Sequence, residues 1–186
     1  MDLVRYSPHR IASLGIARTF QALRLIRRVS VLDNVLLAFP DQPGERLSNV
    51  LFRGRASRRR EADNRQQATA LLAGVGLANQ VHASAEALSY GQQKLLSLVC
   101  CMATDARLLL LDEPVAGIAP HLAEKILTLI QDLPAQGRSV ILIEHDLDAV
   151  EQVCQRLIFM DAGAKVSEGS PQAVRDDPRV IAAYLE

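Results

Sequence analysis

Short, wholly apolar runs alternate along this chain with longer stretches whose apolar residues recur at helical spacing. Leu108-Leu109-Leu110-Leu111 is closed by Asp112-Glu113, and Val140-Ile141-Leu142-Ile143-Glu144 by His145. Runs of this length, bounded by turn signals, predict strands buried on both faces, as in a parallel sheet. Ile16-Ala17-Arg18-Thr19-Phe20 predicts a shorter strand with Gln21 at its end. Leu157-Ile158-Phe159-Met160 and Lys165-Val166-Ser167 predict two more around Ala162-Gly163. Between these lie helices. Ser7-Pro8 starts one that stops at Gly15, and Ser30-Val31-Leu32-Asp33 looks like a capping box opening a second through Ala38. Ala62, Ala68, Leu71, Leu72 and Val75 mark a helix over 58–75 that ends near Gly76. Others are predicted over 95–104, over 122–133 with an amphipathic face, after Ser170-Pro171, and from Pro178. Residues 40–54 carry Pro, Gly, Ser and Asn and read as loop. Strands alternating with helices place the chain in the α/β class.

Length and charge narrow the function. The 186 residues suit one domain, or one with a subdomain, and 49% hydrophobic residues can build a core. Lys plus Arg balance Asp plus Glu at 21 each, which argues against nucleic-acid binding as the main task. Five arginines fall within 53–60, but no aromatic residues interleave them, so a solvated loop and helix start is the expectation. Cys100, Cys101 and Cys154 are an odd count with two adjacent on an apolar helix. That pattern predicts buried small hydrophobes in a reducing compartment rather than a disulfide framework. No segment reaches the roughly 18 apolar residues needed to span a bilayer, and the first residues lack the apolar core of a signal peptide. The expectation is a soluble, cytosolic protein, with docking on a membrane protein left open.

The chemistry concentrates in residues 88–114. Asp112 and Glu113 stand at the carboxyl end of a strand, where ligands of parallel sheets bind. A carboxylate there suits Mg²⁺, a hard cation that takes oxygen ligands, and a second beside it can polarise a water for attack on a phosphate. Upstream, Ser89 is a good helix N-cap and Gly91 lets a backbone approach a ligand closely. A helix start with free N–H groups, a hydroxyl and a glycine is an anion site.

The two features together, with a helix between them, resemble the ATP-binding subunits of ABC transporters. Leu88-Ser89-Tyr90-Gly91-Gln92 looks like their signature sequence and Leu109-Leu110-Leu111-Asp112-Glu113 like their Walker B strand. The tyrosine form of the signature, followed by Gln93, is similar to subunits serving branched-chain amino acid importers. Arg18-Thr19-Phe20-Gln21 resembles the Q-loop, 115–120 the D-loop and His145 the switch histidine. The resemblance implies a P-loop NTPase fold of ABC type: a mostly parallel sheet flanked by helices, with a helical subdomain over 22–87. It implies ATP and Mg²⁺ as cofactors. Asp112 and Gln21 would serve the metal, Glu113 would act as base, Gln21 would position water, and His145 would touch the γ-phosphate. Ser89, Gly91 and Gln92 would bind the γ-phosphate of a nucleotide held by a second ATP-binding subunit. The further implied partners are integral membrane permease subunits, with the protein peripheral on the inner face of the membrane and coupling ATP hydrolysis to import of branched-chain amino acids or a related small solute.

The sequence departs from that pattern in three respects. It contains no G-x-x-x-x-G-K-[ST]; its lysines are Lys94, Lys125 and Lys165, and none follows a glycine loop. The aromatic residue that stacks on adenine near the family's start is also missing, so the chain reads as an N-terminally truncated cassette with an incomplete fold. Charge-assisted hydrogen bonds contribute roughly 1.5–3 kcal/mol each, so the loss of three costs about 4–9 kcal/mol, roughly a thousandfold to a millionfold in affinity. The polypeptide alone is therefore expected to bind ATP weakly, to hydrolyse it negligibly, and to expose an edge and a face of its core. Ala119 stands where family members carry Asn or Asp, which weakens the expected contact across a dimer. The competing reading is a non-catalytic module of the same fold that docks on a partner subunit without turnover.

Overall fold

In the computed structural model of the chain, residues 3–19, 23–40 and 54–185 are described. Gln21 and most of the predicted 40–54 loop lie outside them. Helix α1 (Pro8–Ser13) leads into strand β1 (Ile16–Arg18), and α2 (Val31–Leu36) and α3 (Gly54–Gly74) follow. Next come α4 (Tyr90–Ala103), β2 (Leu108–Asp112), α5 (Pro120–Asp132) and β3 (Ser139–Ile143). Helix α6 (Leu147–Val153), β4 (Leu157–Asp161), β5 (Ala164–Gly169), α7 (Pro171–Arg175) and α8 (Pro178–Leu185) complete the order.

Strands β1, β2 and β3 pair in that order, all parallel, with Ala17 opposite Leu109 and Leu109 opposite Val140. Parallel pairing needs a crossover, and α5 supplies it between β2 and β3. Strands β4 and β5 form a separate antiparallel hairpin. Its two-residue turn holds Ala162 at φ 45° and Gly163 at φ 80°, the paired positive dihedrals that match strand twist.

Each helix start carries its own chemistry. Ser7, Ser30, Ser89 and Ser170 each accept a backbone N–H with the hydroxyl. The box predicted at Ser30 closes differently from expectation: the hydroxyl accepts from Asp33 N–H at 3.0 Å and donates to the Asp33 carboxylate at 2.7 Å. The helix it opens is shorter than predicted, ending at Leu36. Helix α4 is longer, because the cap at Ser89 lets it begin at Tyr90 rather than at the first apolar residue.

The core is continuous. Leu95, Leu96, Leu98 and Val99 of α4 lie against Leu109 and Leu111 of β2, and Ile126 and Ile130 of α5 join them. The same cluster runs into Val31 and Val35 of α2 and Ala68 and Leu72 of α3, so the helices of the predicted subdomain bury their apolar stripe against the signature helix. One expectation fails. The strands are not buried on both faces: β2 hides Leu109 and Leu111 but leaves Leu108 and Leu110 half-covered, and β3 alternates between half-buried and exposed residues. Helices α4 and α5 cover one face; on the other, Ile141 is 53% and Ile143 58% exposed. With Ile158 and Met160 of β4 these residues line a groove of about 950 Å³.

Of the cysteines, Cys101 is buried as expected, while Cys100 and Cys154 are half-buried. All three are free thiols. Burial pushes Cys100 up to about 12 and Cys101 up to about 11, and raises Cys154 as well. The described arginines of the basic run, Arg58, Arg59 and Arg60, are exposed on α3. No helix among the described residues is long and apolar enough to cross a membrane.

Candidate nucleotide site

The carboxyl ends of β2 and β3 bring three of the predicted residues together. Asp112 is the last residue of β2, in register with Ile143 of β3. Its backbone N–H donates to the Thr19 hydroxyl at 3.0 Å, and its carboxylate accepts from the Arg18 guanidinium at 3.2 Å. Glu113 follows at φ 45°, in the left-handed region, and its N–H donates to the Ile143 carbonyl at 2.9 Å. A bulky non-glycine residue there is strained by about 1–3 kcal/mol. The turn redirects the chain so that the Glu113 carboxylate lies 3.9 Å from His145 Nδ1. His145 lies two residues beyond β3, off the strand that was expected to end on it, and is 73% exposed. Asp112 and Glu113 are less open, at 24% and 33%. These hard oxygen donors at an open strand end fit a magnesium ion that keeps several waters.

Ser89, Gly91 and Gln92 form a second cluster at the start of α4. The Ser89 hydroxyl accepts from Gln92 N–H at 3.3 Å, and the Gln92 side chain accepts from Ser89 N–H at 3.0 Å. This capping box leaves the first N–H groups of the helix, those of Tyr90 and Gly91, without intrahelical acceptors. Gly91 is buried, and a Cβ there would sit 2.5 Å from Leu122 Cδ1 and 3.5 Å from Ile118. A Cβ at this position would displace the Leu122 side chain, so the packing of α4 on α5 favours a glycine here, beyond any approach by a ligand. Ala119 caps α5 with no side-chain bond, so the departure read from sequence leaves the first turn of that helix unsupported.

Four neighbours of these residues carry weight the sequence reading did not assign. Arg18 and Thr19 fix Asp112 from β1 and the residue after it. Lys94, 9% exposed, sends its ammonium to the carbonyls of Glu113 and Ala116 at 2.6 and 2.7 Å. Burial lowers its pKa, with Glu144 and then Glu113 opposing that shift. The Glu144 side chain is fully buried and accepts from Val115 N–H at 3.1 Å. Glu144 had the same signal as Asp112, an acid closing an apolar run. Lys94 had a subtler one, a lysine sharing a helical face with Gly91 and Leu98.

The other described lysines are also engaged: Lys125 donates to the Val75 carbonyl at 3.5 Å and Lys165 to Glu168 at 3.0 Å. Among the described residues no free ammonium faces the crevice, so the metal fits these residues and a triphosphate cradle does not.

A three-stranded parallel sheet with acids at its carboxyl end and a capped helix tip beside it defines an ATP-binding cassette of ABC type, and solved structures agree. A nucleotide-free ATP-binding cassette from an ABC transporter superposes over the whole chain with a TM-score of 0.78 and 30% identity, covering 74% of that chain. A structure of the ADP conformation of an ATP-binding cassette of an ABC transporter gives 0.77 and 29% with the same coverage. The family model for ABC transporters matches residues 2–116, and that for branched-chain amino acid ATP-binding cassette transporters matches residues 164–185. The high-affinity branched-chain amino acid transport ATP-binding protein BraF of Pseudomonas aeruginosa is 36% identical over 178 residues, spanning 95% of this chain and 70% of the relative. LivG of Escherichia coli, with the same description, is 34% identical over 176 residues, spanning 94% and 69%. The chain belongs to the ABC transporter family.

Proposed function

We propose that this chain is the ATP-binding subunit of an importer for branched-chain amino acids or a related small solute. In this reading it acts with a second ATP-binding subunit and membrane permease subunits at the inner face of the membrane. The observation that supports this is that Glu113, which follows Asp112 at the end of β2, lies 3.9 Å from His145 with its backbone held in a strained turn. Asp112 would hold Mg²⁺, with Gln21 as a further ligand by family resemblance. The metal, when bound, would neutralise charge on the phosphate oxygens. Glu113 would accept the proton of the attacking water, and His145 would donate a hydrogen bond toward the terminal phosphate. The capped tip of α4, with the Ser89 hydroxyl, the Gly91 N–H and the Gln92 side chain, faces the nucleotide held by the partner subunit.

Because every described lysine is engaged, the 186-residue chain by itself binds ATP weakly and turns it over negligibly. That same observation favours the second reading, a cassette that docks without turnover. The two separate on one experiment. ATP hydrolysis is measured with a second ATP-binding subunit and permease subunits in liposomes, for the parent and for Glu113→Gln. Loss of a general base lowers turnover by about 10²–10⁴-fold. Equal rates for the two proteins remove the catalytic reading and leave the passive one.

A further inference from the structure

Besides the bond from Glu113 N–H to the Ile143 carbonyl, side chains from outside the loop that carries Glu113 grip it at three points. Lys94 of α4 holds the carbonyls of Glu113 and Ala116, at 2.6 and 2.7 Å. Glu144, at the end of β3, holds the N–H of Val115 at 3.1 Å. Within the loop a long bond joins Ala116 N–H to the Glu113 carbonyl, at 3.4 Å. Both gripping side chains are out of water: Lys94 is 9% exposed, and the Glu144 side chain is fully buried, with its Oε2 lacking a hydrogen-bond partner. A buried ammonium and a buried carboxylate are each costly alone, and are retained where each compensates the other. What they share is the loop that begins at Glu113, a residue at φ 45°, a conformation that persists only where its surroundings over-determine it.

We infer that Lys94 and Glu144 are positioning residues for Glu113: together they clamp the 113–116 loop, so that the placement of the signature helix sets the direction of the catalytic carboxylate. Lys94 lies on the same helix as the Ser89 tip, two residues past Gln92. A small displacement of α4 along its axis therefore moves the Glu113 carbonyl with it. The clamp offers a direct mechanical route from the nucleotide held by a partner, which touches the α4 tip, to the base of this chain's own crevice. The catalytic half of the inference rests on the reading of Glu113 as a base; the clamp itself does not.

The test uses the full chain and reads hydrogen exchange at Glu113, Val115 and Ala116, whose amides donate within or beside the loop. Lys94→Met and Glu144→Ala are expected to speed exchange there by about tenfold or more, while the interior of α4, residues 96–101, stays within about twofold. Glu144→Gln keeps an acceptor for Val115 N–H and is expected to leave its exchange near the parent value. The clamp is overturned if Lys94→Met leaves the three amides unchanged, or if their exchange rises no more than that of α4. In the assembled transporter, Lys94→Met is expected to lower kcat for ATP by about tenfold with KM within about twofold, the pattern of a misaimed base. A fall in affinity with kcat intact overturns the positioning role. If the parent itself shows no turnover, the functional reading fails, and the exchange measurement still decides the clamp.

Discussion

Asn34 offers the most direct check on how the segment over 26–30 is held to α2. It is 7% exposed on α2. Its Oδ1 accepts from Ile26 N–H at 2.8 Å, and its Nδ2 lies within reach of the carbonyls of Ile26, Val29 and Ser30 at 3.1, 3.2 and 2.9 Å. Truncation to alanine strips these groups unequally. The Ser30 carbonyl keeps the Asn34 N–H, the Ile26 carbonyl keeps Val29 N–H, and the Val29 carbonyl keeps Ala85 N–H. Only Ile26 N–H loses the bond shown for it. One orphaned donor costs about 1–3 kcal/mol, and loss of the second bonds to carbonyls adds about 0.5–1.5 kcal/mol. Because Ile26 is 51% exposed, water can reach part of this region and the lower half of the range applies. The expected loss for Asn34→Ala is therefore about 1.5–3 kcal/mol, or about 3–12 °C in Tm at this chain length. Asn34→Asp tests the orientation of the amide, since it places an acceptor against three carbonyls and should destabilise more than alanine at pH 7. Urea unfolding followed by circular dichroism measures both. A loss under about 0.5 kcal/mol for alanine, or aspartate proving milder than alanine, refutes the bonding described.

Three further outcomes follow from single sites. Hydrogen bonds from Arg179 and Ser167 hold the Asp177 carboxyl well below the usual carboxylate range, so its contribution is present above pH ~4 and is lost as pH falls toward its folded value; the stability gap between parent and Asp177→Asn should shrink on acidification, measured by thermal melts from pH 7 to 3. With thiols at about 12 and about 11, Cys100 and Cys101 should resist iodoacetamide at pH 8 in the folded chain and react only on unfolding, as peptide mapping would show. Ala119→Asp should supply the missing cap of α5 and raise stability by about 0.5–2 kcal/mol in urea unfolding, whereas no gain would mean the first turn is already satisfied.

The sequence exposed the site more fully than the support beneath it. Asp112, Glu113 and His145 were legible because an apolar strand ending in a polar residue marks the ligand side of a parallel sheet. Ser89 was legible because capping is local. What escaped was tertiary: Arg18 reaches Asp112 across 94 residues and Lys94 reaches Glu113 across 19, and no periodicity records such pairings. The reading of β2 and β3 as buried on both faces failed for a related reason. An apolar run states that a strand can be covered, while cover itself depends on what packs there; α4 and α5 lie over one face and leave Ile141 and Ile143 to solvent.

The backbone at Glu113 has a consequence for how this position tolerates change. A side chain at φ 45° is disfavoured relative to glycine by about 1 kcal/mol, and asparagine also adopts that conformation readily. Replacement by either therefore relieves strain while deleting the proposed proton acceptor. A laboratory search for heat resistance, blind to turnover, would gather such substitutions here early. Sturdier and inert variants would share one residue, and a screen that scored both traits would find them opposed at this point in the chain.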